Sequence, residues 1–458
     1  MIAIFDIETN GLYNEATEVH CISIKIDDKK TKVYTSRPIQ GSAGTVEEGL
    51  GILQEADLLV GHNIIGYDIP VLQKLYPLWA YKACEDTLIM SRLCYPNLIS
   101  QDAPKTQIPP KLKGSHSLKA WGLRLNKHKG EFGEDQWEVL TEEMVEYCRQ
   151  DTEVTASLYK KLLGRNTPKE AIWLEQEFAK IIGRQERYGV YFDIKKARNL
   201  HVELLEEVER AETELYTVFK PLPTWTPKSY PKVAVKKDGT KSTVLRNQEL
   251  MGCKYVDGDW GYYKTVAFNP SSRQHIARWL SETYNWKPKE MTEKGAIIIN
   301  EKVLAELDFP EGKILAHYFN VTKLIGQLAE GKNAWLKKVD ATGRIHGRVN
   351  TLGAVSRRCT HSTPNMAQVP SSRAYKGHEA RELFTVPRGK KLVGCDADGL
   401  ELRTLSHYMA RFDNGKYAKA VDEGKKEDGT DIHTINQKGA GLPTRDDAKT
   451  FILTQVII

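Results

Sequence analysis

Ile4-Phe5-Asp6-Ile7-Glu8-Thr9 is an apolar run that ends on two carboxylates two residues apart. Side chains at that spacing on a strand share a face, so Asp6 and Glu8 converge. Two later segments supply more acid. Asp68 closes His62-Asn63-Ile-Ile-Gly-Tyr67-Asp68, after a short apolar stretch at Leu58 to Val60. Asp151 closes Tyr147-Cys-Arg-Gln-Asp151, and a spacing of four puts Tyr147 beside it on one helix face. Hydrolysis of a phosphodiester needs a hydroxide at neutral pH and stabilisation of the departing sugar oxygen. Two divalent cations roughly 3.5–4 Å apart supply both, and hard ions such as Mg2+ or Mn2+ prefer carboxylate oxygens. Carboxylates packed without cations would repel by about 4 kcal/mol for a pair ~4 Å apart at an effective dielectric of 20. Tyr147 would orient or help deprotonate the attacking water. An isolated Asp-x-Glu is ordinarily a turn or a solvated strand end. The ordered set of three segments is what carries the reading.

Working outward, Ile2 to Phe5, Cys21 to Ile26 and Leu58 to Val60 read as strands, and Thr141 to Leu163 as a helix. Thr141 is its N-cap, Glu142 and Glu143 suit the positive end, and lysines crowd its tail. Strands alternating with helices predict an α/β domain over residues 1–165. Asp86 reads as a helix cap outside the acidic site. Ser115-His116-Ser-Leu118 with Trp121 reads as a cap plus core.

At 458 residues, with 40% hydrophobic and 28% charged residues, the chain is an ordinary globular one of two or three domains. A net charge of +6 permits a polyanionic partner without demanding one. Seven scattered cysteines, none in a Cys-x-x-Cys pair, speak against a disulfide framework or a zinc site and for a reducing compartment. The N-terminus does not read as a signal peptide, and no apolar run approaches the roughly 20 residues of a membrane span.

Residues 166–345 turn mostly helical, broken at about 222–264 by a basic insertion rich in proline, lysine and aromatic residues, read as hairpin or loop. Helical patterning resumes at Phe268-Asn-Pro-Ser-Ser-Arg273. Asn269 is expected to cap that helix with Pro270 at its first position. Its free amides, Ser271, Ser272 and Arg273 would then cradle a phosphate. Residues 346–458 mix a strand expected at Lys391 to Asp396 with helices after it.

The acidic set resembles the proofreading exonucleases, whose site is three aspartates, one glutamate and a tyrosine. From its start to about Ile452 the chain resembles the DNA polymerase I-like (family A) replicative polymerases of short-tailed phages. That resemblance implies a ribonuclease H-like 3′–5′ exonuclease domain, a mostly helical thumb that grips primer–template DNA, and an incomplete α+β palm with the start of the fingers. Gly353-Ala-Val-Ser-Arg-Arg358-Cys-Thr360 and Asn365-Met-Ala-Gln368 match the segment that holds the primer, which makes Arg358, Thr360, Asn365 and Gln368 DNA contacts. Asp396 matches the palm's metal-binding aspartate, Glu401 the residue that lies against the sugar, and Asp431-Ile-His433-Thr434 also fits. In Arg445-Asp-Asp-Ala-Lys449 two cations share a helical face suited to a dNTP triphosphate.

The likeness then breaks. The family continues with an aromatic residue and a Tyr-Gly pair, whereas this chain has Leu453-Thr-Gln-Val-Ile-Ile458 and no His-Asp-Glu motif. The expectation is a complete exonuclease site and part of a polymerase site, with Mg2+ and dNTP binding only once a C-terminal partner fragment completes it. A split gene and a plain truncation are equally compatible with the residues. The alternative is a stand-alone magnesium-dependent 3′–5′ exonuclease that keeps the rest to bind DNA. Single-stranded 3′ ends are the expected substrate and the cytoplasm of an infected bacterial host cell the expected compartment. Related phage enzymes carry, where residues 222–264 lie, a loop that captures a host processivity factor such as thioredoxin. The segment here is shorter than that loop, which argues against such a partner and leaves contact with the duplex as the other use.

Overall fold

The computed structural model describes residues 1–127, 137–288, 290–292, 295 and 297–457. They form two compact units, Met1–Pro387 and Arg388–Ile458.

The amino-terminal part of the first unit is built on six strands: β1 (Ile2–Thr9), β2 (Val19–Ile26), β3 (Lys32–Thr35), β4 (Ser42–Thr45), β5 (Leu58–Gly61) and β6 (Cys84–Asp86). Their order is β4-β3-β2-β1-β5-β6. β1 runs antiparallel to β2 and parallel to β5. β1 is nearly continuously apolar because the sheet is covered on both faces. Ala3, Phe5 and Ile7 join a core with Leu50 and Leu53 of α1 (Val46–Glu55) and Ile69 and Leu72 of α2 (Asp68–Leu75). Ile4 faces the opposite way, toward Met90 of α3 (Thr87–Cys94), Trp121, Val154 and Leu158. The two-residue period therefore aims Asp6 and Glu8 at the second face, where the helix Glu142–Leu163 packs against β1.

That helix begins as expected, with the Thr141 hydroxyl accepting from the Met144 amide at 3.2 Å. It buries Met144, Val145, Cys148, Asp151, Thr152 and Thr155, one stripe at three- and four-residue spacing that carries Asp151 inward. Asp86 caps α3 and Ser117 caps the helix Leu118–Arg124, whose Trp121 is fully buried.

The long helices Lys169–Tyr188, Ile194–Val218 and Pro310–Ile325 follow. The basic insertion is ordered. Leu222–Pro227 and Lys254–Val256 flank Asp259–Val266 in a three-stranded antiparallel sheet, with the helix Thr243–Leu250 between. Pro223 and Pro227 are tolerated because their strand lies at the edge of that sheet.

Two expectations are corrected. Asn269 does not cap a helix: its Oδ1 accepts from Ser271 N at 2.9 Å and its carbonyl from Ser272 N at 3.1 Å, closing a turn. Pro270 takes the second turn position, where its fixed φ belongs, and the cap passes to Ser272, which opens the helix Arg273–Tyr284. The strand expected at Lys391 to Asp396 is irregular and exposed. An apolar stretch becomes a strand only when a neighbour pairs its amides and carbonyls, and the described residues of the second unit are helices at Leu400–Asp413, Lys416–Glu423, Ile432–Ala440 and Arg445–Ile457. The last of these runs past Lys449; Ile458 lies outside the described residues. Among the described residues, no helix is long and apolar enough to cross a membrane.

Candidate active site

β1 pairs with β5 only as far as Ile4, so Asp6 and Glu8 lie beyond the carboxyl end of that parallel pair. Such ends are where open α/β sheets place their ligands. The chain leaves β5 through Gly61, where a Cβ would meet Ile64 Cγ2 at 2.2 Å and the Phe5 carbonyl at 2.9 Å. Only glycine permits so close an approach. The loop then turns at Asn63, in the left-handed region, and leads Asp68 into the first turn of α2.

Asp86 holds this loop from below. Its carboxylate accepts from Asn63 N at 2.8 Å, Ile65 N at 3.0 Å and Leu88 N at 2.9 Å. The loop in turn brings Asp68 to β1: Asp68 Oδ1 accepts from the Ile7 amide at 3.2 Å, between Asp6 and Glu8. Tyr67 fastens the same junction, with its hydroxyl 2.5 Å from Thr9 Oγ1 and donating to the Gly11 carbonyl at 2.6 Å.

Asp151 shares with Asp6 the lining of a cleft of about 660 Å3 that also takes in His62, Asn63, Arg92, His116 and Asn350. Burial pushes the Asp68 carboxyl up to about 7, the Ile7 amide pulls against that rise, and the negative charges of Asp86 and Asp151 add to it. A cation between these groups would relieve the repulsion. Donor atoms of Asp6, Glu8 and Cys148 lie within 4.8 Å of one another, close enough to hold one ion. Two hard oxygens favour Mg2+ or Mn2+, and the thiol adds a softer neighbour. The acidic residues present thus suit divalent metal. Tyr147 lies on the same helix, half-buried, its ring edge-on to Trp137 with centroids 6.2 Å apart.

The residues expected to hold DNA or nucleotide are divided between the two units. In the first unit, Ser271 Oγ is 2.8 Å from the Tyr318 hydroxyl, Ser272 caps its helix, and Asn269 and Arg273 are exposed. Thr360 opens the strand Thr360–Ser362, which pairs with Arg348–Asn350, and Arg358 is exposed just before it. Asn365 caps the short turn holding Gln368, whose carbonyl accepts from Gln327. In the second unit, Asp431 caps Ile432–Ala440 and accepts from Arg445 at 3.0 and 2.7 Å. Burial acts the other way, but Arg445 and Thr434 hold the Asp431 carboxyl down to about 2. Burial and then Arg445 pull the His433 imidazole below its ordinary pKa, with Asp431 opposing the shift and Lys449 adding to it. Asp396 is exposed in the irregular segment, and Glu401 lies in the first turn of its helix.

Residues 3–163 match the RNase_H superfamily and residues 259–444 match DNA polymerase family A. A DNA-directed DNA polymerase of Enterobacteria phage T3 is 36% identical over 98% of this chain and 74% of its own length. That of Escherichia phage T7 is 36% identical with the same coverage. The chain belongs to DNA polymerase family A. Among solved structures, the POL domain of Pol1 from M. smegmatis, in complex with DNA primer-template and dNTP, aligns with a TM-score of 0.63. That alignment covers 98% of this chain and 66% of the other at 15% identity, a likeness of fold alone. The family A chain thus carries an RNase H-like domain with an acidic cluster fit for metal, and spans about three quarters of the length of its phage relatives.

Three residues of the site escaped sequence reasoning. Cys148 Sγ lies 3.7 Å from Asp6 Oδ2. Trp137 lines a second cleft of about 410 Å3 with Glu8, Leu12 and Tyr67. Arg92 lines the first. None belongs to a local pattern. Only Cys148, on the buried stripe of the helix Glu142–Leu163, offered any signal.

Proposed function

We propose that this family A chain is a 3′–5′ exonuclease of DNA ends joined to part of a phage replicative polymerase. Residues 1–165 would form the nuclease, 166–345 the thumb and 346–458 part of the palm and fingers. The observation that carries the nuclease reading is the Ile7 amide held by Asp68 between Asp6 and Glu8, with Asp151 in the cleft beside Asp6. Asp6, Glu8, Asp68 and Asp151 would hold two divalent cations. When bound, such a pair generates hydroxide at neutral pH and offsets charge on the departing oxygen. The protein's own part is to fix the carboxylates before substrate arrives, through Asp86 under the loop and Tyr67 on Thr9, and to orient the attacking water with the Tyr147 hydroxyl. Asn269, Ser271, Ser272, Arg273, Arg358, Thr360, Asn365 and Gln368 would contact the primer–template, and Glu401, His433, Arg445 and Lys449 the incoming dNTP, with Asp396 as palm metal ligand.

The test is release of mononucleotides from a mismatched 3′ primer end with Mg2+. The chain should degrade it, and Asp6→Ala should stop it. Activity that survives Asp6→Ala sinks the assignment.

A second reading, a nuclease that uses its remaining residues only to bind DNA, is favoured by the exposed, unpaired surroundings of Asp396. Two-metal phosphoryl transfer needs more than one anchoring carboxylate, so this chain alone should not extend a primer. Adding a fragment with the relatives' remaining palm separates the readings: extension supports a divided polymerase, and none supports the nuclease.

A further inference from the structure

Two arginines flank His116, and their surroundings differ. Arg124 is ion-paired: its Nε and Nη2 donate to Asp102 at 3.1 and 2.6 Å, its guanidinium lies 4.8 Å from the Trp121 ring centre, and its buried Nη1 has no hydrogen-bond partner among the described residues. Arg92, on α3, is half-buried and makes no hydrogen bond, ion pair or ring contact among the described residues. Its nearest charge influence is Asp86, which is already committed to three backbone amides, and burial depresses the guanidinium's pKa. His116 does not compensate. Its ring is kept neutral, chiefly by burial and then by Arg92 and Arg124. A partly buried, unmatched guanidinium is costly unless an anion completes it.

The cleft that Arg92 lines contains Asp6 and Asp151. Arg92 is bonded to neither, so neither carboxylate already occupies its guanidinium. Its helix is also fixed in place: Ser91 Oγ is 2.5 Å from His116 Nδ1 and accepts from Trp121 Nε1 at 3.0 Å. A nucleic-acid strand entering this cleft brings one phosphate per link past a wall otherwise lined by neutral and acidic groups. The rigid fork of an arginine suits such an oxyanion.

We propose that Arg92 is a substrate-positioning residue of the nuclease, gripping a non-scissile phosphate on the 5′ side of the bond to be cut. This rests on the exonuclease reading above. It adds to it a contact with a second backbone phosphate, which an oligonucleotide supplies and a lone nucleotide ester does not.

The test compares the full chain with Arg92→Gln and Arg92→Lys on three substrates. These are a single-stranded oligonucleotide, the same oligonucleotide with a neutral methylphosphonate at the second linkage from its 3′ end, and the p-nitrophenyl ester of thymidine 5′-phosphate. Arg92→Gln should raise KM for the plain oligonucleotide about tenfold or more with kcat little changed, and Arg92→Lys should fall between. The ester should be cleaved equally by all three proteins, and the methylphosphonate should erase the difference between them. Anisotropy of a labelled oligonucleotide without divalent ion should show the same weakening, free of any turnover.

Equal loss on every substrate would mean that Arg92 supports the fold or the chemistry itself, and no loss on the oligonucleotide would mean it only offsets Asp86. Either result overturns the proposal. If the unaltered chain cleaves none of the substrates, the nuclease reading itself has failed and the proposal goes with it. A failure confined to Arg92 leaves the unaltered chain active.

Discussion

Asp6 and Asp396 both follow a short apolar stretch, yet only one of them is placed. β1 is paired on both sides, by β2 along its length and by β5 at its start, and both faces of its sheet are buried. Asp6 therefore has a fixed direction and three converging acidic neighbours. Val393-Gly394-Cys395-Asp396 is exposed throughout and belongs to no strand. A carboxylate on a lone extended segment keeps its backbone free to hydrogen-bond water, and nothing orients it. Motif and site are separated by the neighbouring strands.

The largest expected effect tests this directly. Asp6→Ala should lower exonuclease turnover on the order of a thousandfold, about 4 kcal/mol of transition-state stabilisation. Asp396→Ala should leave it unchanged. Rates on a single-stranded 3′ end check both, and a comparable loss in Asp396→Ala would break the contrast.

Next in size is the support beneath the site. Asp86→Ala strips acceptors from the amides of Asn63, Ile65 and Leu88, in a place where water cannot replace them. The cost should be about 3 kcal/mol, seen as a lower denaturant midpoint. Asp86→Asn, which keeps one acceptor, should cost less. Turnover should fall in step as the loop carrying Asp68 loosens.

How much of this could be read beforehand follows the range of the interactions. Asp6 and Glu8 share a face by strand period, Tyr147 and Asp151 by helix period, and the Thr141 cap by local chemistry, all within a few residues. The convergence of Asp68 was legible only through likeness, because the Ile7–Asp68 bond spans 61 residues. Arg92 gave no signal, since being unpaired is a property of its surroundings. Asn269 misled because Asn-Pro suits a turn as well as a helix start, and the buried stripe from Ile276 onward takes its register from Ser272.

A smaller effect concerns pH. Asp68 has its folded pKa raised, up to about 7, above the ordinary ~3.9 of an aspartate. The fold thus favours the protonated form. Without metal, its contribution to stability is fully present below about pH 4 and is lost as pH rises toward 7, by at most a few kcal/mol. Divalent cation replaces the proton, so Mg2+ should raise Tm at about pH 8 and hardly at all at about pH 4. Thermal unfolding with and without Mg2+ checks it, and Asp68→Asn should flatten the metal-free dependence. Equal stabilisation at both pH values would mean that Mg2+ binds elsewhere.

The smallest effect lies in the second unit, where one carboxylate does have neighbours. Asp431 caps the helix Ile432–Ala440 through the His433 amide at 3.1 Å, bonds Thr434 at 2.5 Å, and takes both bonds from Arg445. Its pKa is held near 2, so its contribution is present above about pH 4 and lost as pH falls toward 2. The arginine is about a third exposed, which screens the pair, and the cap itself is worth about 1 kcal/mol. Asp431→Ala should therefore cost about 1 kcal/mol, read as faster amide exchange across Ile432–Ala440, with nuclease turnover untouched. A loss as large as that from Asp86→Ala would show that the second unit, for all its exposure, is held as firmly as the first. The contrast between Asp6 and Asp396 would then rest on the missing strand partners alone.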